Sequence, residues 1–259
     1  MDTQEGQTPV EPVQASAQQA VRQETAPRRV RRTRMVFFQL YLLVALGGFA
    51  LLAFLASNTP YLPEDLVITR SIQLIHFTGL QGLMVFISWW GFMPQNAVLV
   101  LLLSLVVYLL GLRWESVLLL LLAAVDGALN SVIKVVVARP RPGADLVHVF
   151  ANLPSYSFPS GHVMFYTAYF GFLFFLVYSL LKRSWKRALL LIVTGGMVLL
   201  VGFSRIYEGE HWASDVIAGY ILGSLVLSAG ILVYRWGKPK FFPRQPVAPE
   251  PPEAASTAH

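Results

Sequence analysis

Residues 116–138 read SVLLLLLAAVDGALNSVIKVVVA. This run satisfies the ~20 mostly apolar residues that a helix needs to cross the hydrocarbon of a bilayer. Asp126, Asn130 and Lys134 interrupt it at four-residue steps. On a helix these stack along one face. Ionisable groups inside a span are costly and mark a functional site by default. The run therefore sets two expectations: a membrane bundle, and a polar ladder in which Asp126 and Asn130 position Lys134 or hydrogen-bond a neighbouring span.

The rest of the chain extends the pattern. Hydrophobic residues make up 55% and charged residues 13%, about half the charged fraction of a soluble domain. Further spans are read at about Met35–Ala56, Pro94–Leu112, Gly161–Leu181, Ala188–Phe203 and Ala213–Trp236. Between the first two lies Glu64–Trp90, which mixes apolar residues with Asp65, Arg70, Gln73, His76 and Gln81 and ends in Ser88, Trp89 and Trp90. Paired tryptophans favour the membrane–water boundary, so this segment is read as an amphipathic helix lying in the interface.

The expected fold class is thus an all-α membrane protein, a six-transmembrane-helix bundle with an interfacial amphipathic helix between spans one and two. With six crossings, the basic groups at Arg28–Arg34, Arg113, Lys182–Arg187 and Arg235–Lys240 fall on one side, which the positive-inside tendency makes cytoplasmic. Both termini are then cytoplasmic in a multi-pass plasma (inner) membrane protein. The net charge of +6 resides in these flanks, so it argues for membrane lipids as neighbours and against nucleic acid. Residues 1–33 and 238–259, poor in large apolar residues, are read as disordered cytoplasmic tails around a domain at 34–237. The absence of cysteine excludes disulfides, thiolate chemistry and cysteine metal sites.

In this topology the loop Arg139–Ser160 and the corner Ser204–Trp212 share the extracytoplasmic face and hold most of the remaining polar residues. Lys134, Arg141 and Arg205 converge there as a cationic pocket, suited to phosphate because guanidinium binds it in a two-pronged fashion and lysine as a point charge. Ser160 and Gly161 stand at a helix N-terminus, whose free N–H groups and dipole favour an anion. His211 and Asp215 are four apart and share a face if helical. The carboxylate can then fix one imidazole nitrogen and leave the other free to attack phosphorus. His162 can protonate the departing oxygen. Glu208 and Glu210, in the same corner, are read as facing solvent or limiting headgroup charge. Cations nearby argue against a metal, and no cofactor is implied. His148 and Arg139 are read as solvated loop residues that touch a headgroup at most.

Taken together, Lys134-x6-Arg141-Pro142, Pro159-Ser160-Gly161-His162 and Ser204-Arg205-x5-His211-x3-Asp215 resemble the three-part signature of the type-2 phosphatidic acid phosphatase family, whose site is shared with vanadium haloperoxidases and bacterial acid phosphatases. The resemblance spans roughly Pro60 to Trp236. It implies a six-span, metal-independent lipid phosphatase with His211 as nucleophile, Asp215 as its orienting partner and His162 as general acid. Lys134, Arg141, Ser160, Gly161 and Arg205 would hold the phosphate. Expected substrates are a polyprenyl diphosphate, with an undecaprenyl-type carrier preferred, phosphatidate, phosphatidylglycerol phosphate or a lipid-anchored glycan phosphate. Phosphotransfer to another lipid uses the same residues, and a silent scaffold or transporter could retain the fold; the intact histidines argue against the latter. No stretch sets an oligomeric state.

Overall fold

The computed structural model describes residues 28–241, with side chains from 29 to 240. These residues fold into helices joined by short links, except for the long loop between Val137 and Gly161. They are α1 (Arg28–Asn58), α2 (Pro63–Gln73), α3 (Leu80–Trp89), α4 (Gln95–Leu109), α5 (Arg113–Val137), α6 (Gly161–Leu180), α7 (Trp185–Tyr207) and α8 (Ala213–Phe241). Within α6, Tyr166–Phe170 form a π-helical turn.

Among the described residues, α1, α5, α6, α7 and α8 are long and apolar enough to cross a membrane. The central one is α6. Its window is 56% buried, against 33% for α5, α7 and α8 and 11% for α1. Phe165, Tyr166, Tyr169, Phe170 and Phe172 supply much of the core. Close approach of α8 to α6 depends on small residues, as is common where lipid provides no hydrophobic drive between helices. At Gly223, for instance, an added Cβ would lie 2.7 Å from the Cβ of Thr167 and 2.8 Å from the Met164 carbonyl oxygen. Helix α1 borders the bundle, its Phe49, Leu52 and Ala53 packing near Phe158 and Ala218. The Tyr41 hydroxyl lies 2.8 Å from Ser224 Oγ on α8. Leu43, Val136 and Ile192 are at least 70% exposed, an apolar exterior suited to lipid rather than water.

Local chemistry sets the ends of these elements. Pro63 opens α2, and the Asp65 carboxylate accepts the Leu62 N–H at 3.1 Å. Ser184 caps α7 by accepting the Arg187 N–H at 3.2 Å. Ala138 takes a left-handed conformation (φ 50°) to end α5, and Pro140 follows, so the chain turns into the loop carrying Arg139 and Arg141.

The structure revises three sequence expectations. Glu64–Trp90 is two helices rather than one interfacial helix: the chain breaks between α2 and α3 at Gly79, whose φ of 89° suits glycine alone. Helix α2 buries Asp65 and Thr69, and α3 buries Met84, Ile87 and Ser88. The second expected span, Pro94–Leu112, contains a helix of only 15 residues, about 22 Å long against a hydrocarbon core of about 30 Å. Finally, α1 begins at Arg28 and α8 ends at Phe241, so residues 28–33 and 238–241 are helical rather than tail. The remainder of both expected tails lies outside the described residues.

Candidate active site

Four chain segments meet at one end of the bundle: the end of α5 with its following loop, the start of α6, the end of α7, and the corner leading into α8. His211 and Asp215 are 1% and 0% exposed. They do not share a helical face, because α8 starts only at Ala213 and His211 precedes it. Asp215 instead caps the helix, accepting the Trp212 N–H at 3.0 Å through Oδ2. That oxygen lies 3.7 Å from His211 Nδ1, beyond hydrogen-bond length. The Ser157 hydroxyl fills the interval, 2.5 Å from Asp215 Oδ2 and 3.5 Å from Nδ1.

On the other side of the imidazole, Arg141 Nη1 lies 3.2 Å from His211 Nε2 and donates to the Glu210 carbonyl at 2.6 Å. Its Nε and Nη2 reach the Ser155 carbonyl and hydroxyl at 2.7 and 2.9 Å. Burial, partly offset by Asp215, draws the Arg141 guanidinium down to about 10, leaving it charged. Burial first, then the charges of Arg141, Lys134 and Arg205, holds His211 well below the ordinary imidazole range. His211 is therefore held toward its neutral form, with Nε2 facing a cation.

Lys134 donates to the carbonyls of Tyr156 and Ser157, fixing the loop before α6. Asn130, one turn earlier, donates to the Pro159 carbonyl at 3.3 Å, and its side-chain oxygen would lie 2.8 Å from a Cβ added to Gly161. Asn130 thus supports the start of α6 rather than Lys134. Asp126 is buried, but its Oδ1 finds no partner among the described residues. The ladder is in register yet not joined from one rung to the next.

Arg205 is fully buried, donating to Glu208 Oε2 at 2.8 Å and pairing with Glu210. Both acids, expected to face solvent or to limit headgroup charge, are 3% exposed, so they do not face solvent. Ser88 of α3 donates to Glu208 Oε2 at 2.9 Å. Burial raises the Glu208 carboxyl above its ordinary value, with Arg205 opposing that rise. Ser160 Oγ, His162 Nε2 and Arg205 Nε are buried without a partner among the described residues. Ser160 and His162 stand at the N-terminus of α6, whose first three N–H groups lie ahead of the first helical bond, Met164 N to Ser160 O.

Arg139 is also not solvated; it is 1% exposed. It donates to Asp215 Oδ1 at 2.6 Å, Ser214 Oγ at 2.7 Å, Asp65 Oδ2 at 2.9 Å and the Pro60 carbonyl at 3.1 Å. Asp65 in turn accepts from the Ser214 N–H at 2.8 Å. The residues that sequence reasoning missed are Asp65, Ser157 and Ser88. Asp65 did leave a trace, an acid two residues after a helix-opening proline. His148 is exposed as expected, and its backbone is held by the Gln73 amide. Among the described residues no three His, Cys, Asp or Glu side chains converge as metal ligands.

The PAP2 superfamily model matches residues 115–240. Phosphatidylglycerophosphatase B of Bacillus subtilis is 33% identical over 164 residues, which are 62% of this chain and 79% of that protein. Undecaprenyl-diphosphatase of Sulfolobus acidocaldarius is 31% identical over 160 residues, 61% of this chain and 72% of that protein. The crystal structure of a transmembrane PAP2 type phosphatidylglycerolphosphate phosphatase from Bacillus subtilis superposes with a TM-score of 0.64 at 27% identity, covering 78% of this chain and 98% of that one. The chain belongs to the PAP2 superfamily. It is an integral-membrane phosphatase, a hydrolase of phosphoric esters.

Proposed function

We propose that the protein is a metal-independent lipid phosphatase that works through a phosphohistidine. His211 Nε2 attacks phosphorus, and Asp215 and Ser157 orient the ring from Nδ1. His162 donates a proton to the leaving oxygen and then takes one from the attacking water. Lys134, Arg141, Ser160, Gly161 and Arg205 hold the phosphate. Asn130 supports the start of α6, and Asp126 lines the same helix face. The observation that carries this reading is the position of His211 Nε2, 3.2 Å from Arg141 Nη1: a neutral nitrogen faces the guanidinium that would grip the substrate.

The substrate class follows the relatives, which are named for phosphatidylglycerophosphate and undecaprenyl diphosphate. A lipid phosphate can stay in the bilayer while its headgroup enters the end of the bundle. The membrane topology belongs to the same proposal. It has six crossings, the second formed by α4 continued through α3, with both termini cytoplasmic, the site on the extracytoplasmic side of the inner membrane, and the phosphatase domain at 34–237. The test is phosphate release by purified protein in detergent with EDTA, from polyprenyl diphosphate, phosphatidate and phosphatidylglycerol phosphate. Turnover that EDTA spares and His211→Ala abolishes supports the proposal; dependence on an added divalent ion overturns it.

A further inference from the structure

Between α3 and α4 the link Trp90–Pro94 touches the site. The Gly91 N–H closes the end of α3 onto the Ser88 carbonyl at 2.9 Å. A Cβ added at Gly91 would overlap the His162 imidazole, at 2.7 Å from Nε2 and 2.8 Å from Cγ. The next residue, Phe92, sets its ring edge-to-face on His162, with centroids 4.5 Å apart and planes at 73°. The same ring lies 5.2 Å from the Arg205 guanidinium carbon. One residue further, Met93 is 73% exposed, and Trp89 on the other side of the link is 44% exposed. Within two residues the main chain therefore runs from the catalytic cluster to the lipid-facing exterior.

The charges have a matching arrangement. Arg139 is committed to Asp65 and Asp215, and Arg205 to Glu208 and Glu210. Among the described residues, Lys134 and Arg141 form no ion pair and donate only to uncharged partners or His211. Lys134 and Arg141, with the unpartnered Arg205 Nε, suit one phosphate dianion, and among the described residues of the site no further cation is left over. A second phosphate would meet the two glutamates and an aromatic ring.

We propose that the site selects lipid phosphomonoesters over lipid diphosphates, and that Phe92 is the wall against which the carbon-borne leaving group rests. This rests on the phosphatase reading above. In the reaction the His211 Nε2–P bond forms as the P–O bond to the lipid breaks, and the His162 proton passes to the leaving alkoxide. Water then attacks phosphorus and the N–P bond breaks, while His162 recovers a proton and phosphate departs. The leaving oxygen must come within about 2.6–3.2 Å of the His162 donor. Its substituent then lies against Phe92, where a methylene fits and a second phosphate loses hydration without a cation in return.

The experiment compares polyprenyl monophosphate and diphosphate of equal chain length, with the full chain in detergent and EDTA. The readout is the ratio of their kcat/KM values, which a misfolded fraction leaves unchanged. Wild type should favour the monophosphate by about tenfold or more, and Phe92→Ala should collapse that preference by lowering monophosphate kcat/KM about 10–100-fold. Phe92→Leu should keep most of the preference, and Glu210→Gln should shift the ratio toward the diphosphate. A wild-type preference for the diphosphate overturns the proposal, as does a Phe92→Ala variant whose two activities fall equally. His211→Ala in the same assay keeps the two readings apart: turnover persisting there defeats the phosphohistidine reading, whereas turnover lost there with a diphosphate preference defeats this inference alone.

Discussion

The two ends of the bundle are both rich in basic residues, and they treat them in opposite ways. At one end Arg113, Lys182, Arg183, Lys186, Arg235 and Lys240 are exposed; the buried acid there, Glu115, pairs with a partly exposed Lys238. At the other, Arg139 and Arg205 are 1% and 0% exposed and are gripped by four carboxylates. A guanidinium at a membrane boundary needs no protein partner, since its long stem lets the charge reach water and headgroups. One that is buried is tolerated only with close acids and filled hydrogen bonds. The first end leaves its basic side chains exposed, while the second buries them in a paired polar chamber.

The sharpest break in the comparison is chemical. His211→Ala should reduce phosphate release by on the order of 10⁴–10⁶-fold with unchanged detergent-extracted yield; activity within tenfold of wild type would remove the chamber's central role. Next in size is the network behind it. Arg139→Ala leaves Asp65 and Asp215 buried and unpaired, and should cost about 3–5 kcal/mol in chemical or thermal unfolding. A loss below about 1 kcal/mol would mean that this end is no more dependent on pairing than the other.

A third test uses pH. His211 is held below its ordinary range by burial and three cations, so its free base persists as pH falls. The acid limb of kcat/KM should therefore lie below the ordinary histidine value of about 6.5. Removing one cation with Arg141→Ala should move that limb upward; an acid limb that stays in place would show that the Arg141 charge does not reach the imidazole. The smallest effect belongs to the opposite end, where Arg235→Ala should change stability by about 0.5 kcal/mol or less. A larger loss would mean that this end too relies on pairing.

Much of this chamber was legible in the sequence. Five of the six expected spans showed in the apolar runs as helices long enough to cross, and the three motifs named residues that the fold brings together. The misreadings share one cause: spacing reports which residues can be neighbours along the chain, whereas partners come from elsewhere. Arg139 looked like a loop residue because its acids lie 74 and 76 residues away. Glu208 and Glu210 looked solvated because their corner is polar, yet α3 covers it through Ser88. The four-residue interval between His211 and Asp215 suggested a shared helical face; the helix starts between them, and Ser157 from a third segment bridges the gap. The break between α2 and α3 was missed because Gly79 lies in a mixed apolar and polar segment with no proline to mark a helix end.

Asp215 has a consequence for how the protein is made. Its carboxylate joins Arg139 and Ser157, and its carbonyl accepts the Ser160 N–H at 3.1 Å, so α8 closes the circuit on segments synthesised long before it. A ribosome that has delivered the chain through α7 has released nearly all the bundle into the membrane, but no hydrolase. Neither His211, the proposed nucleophile, nor Asp215, proposed to orient it, has yet emerged. If those roles hold, activity waits on the docking of α8.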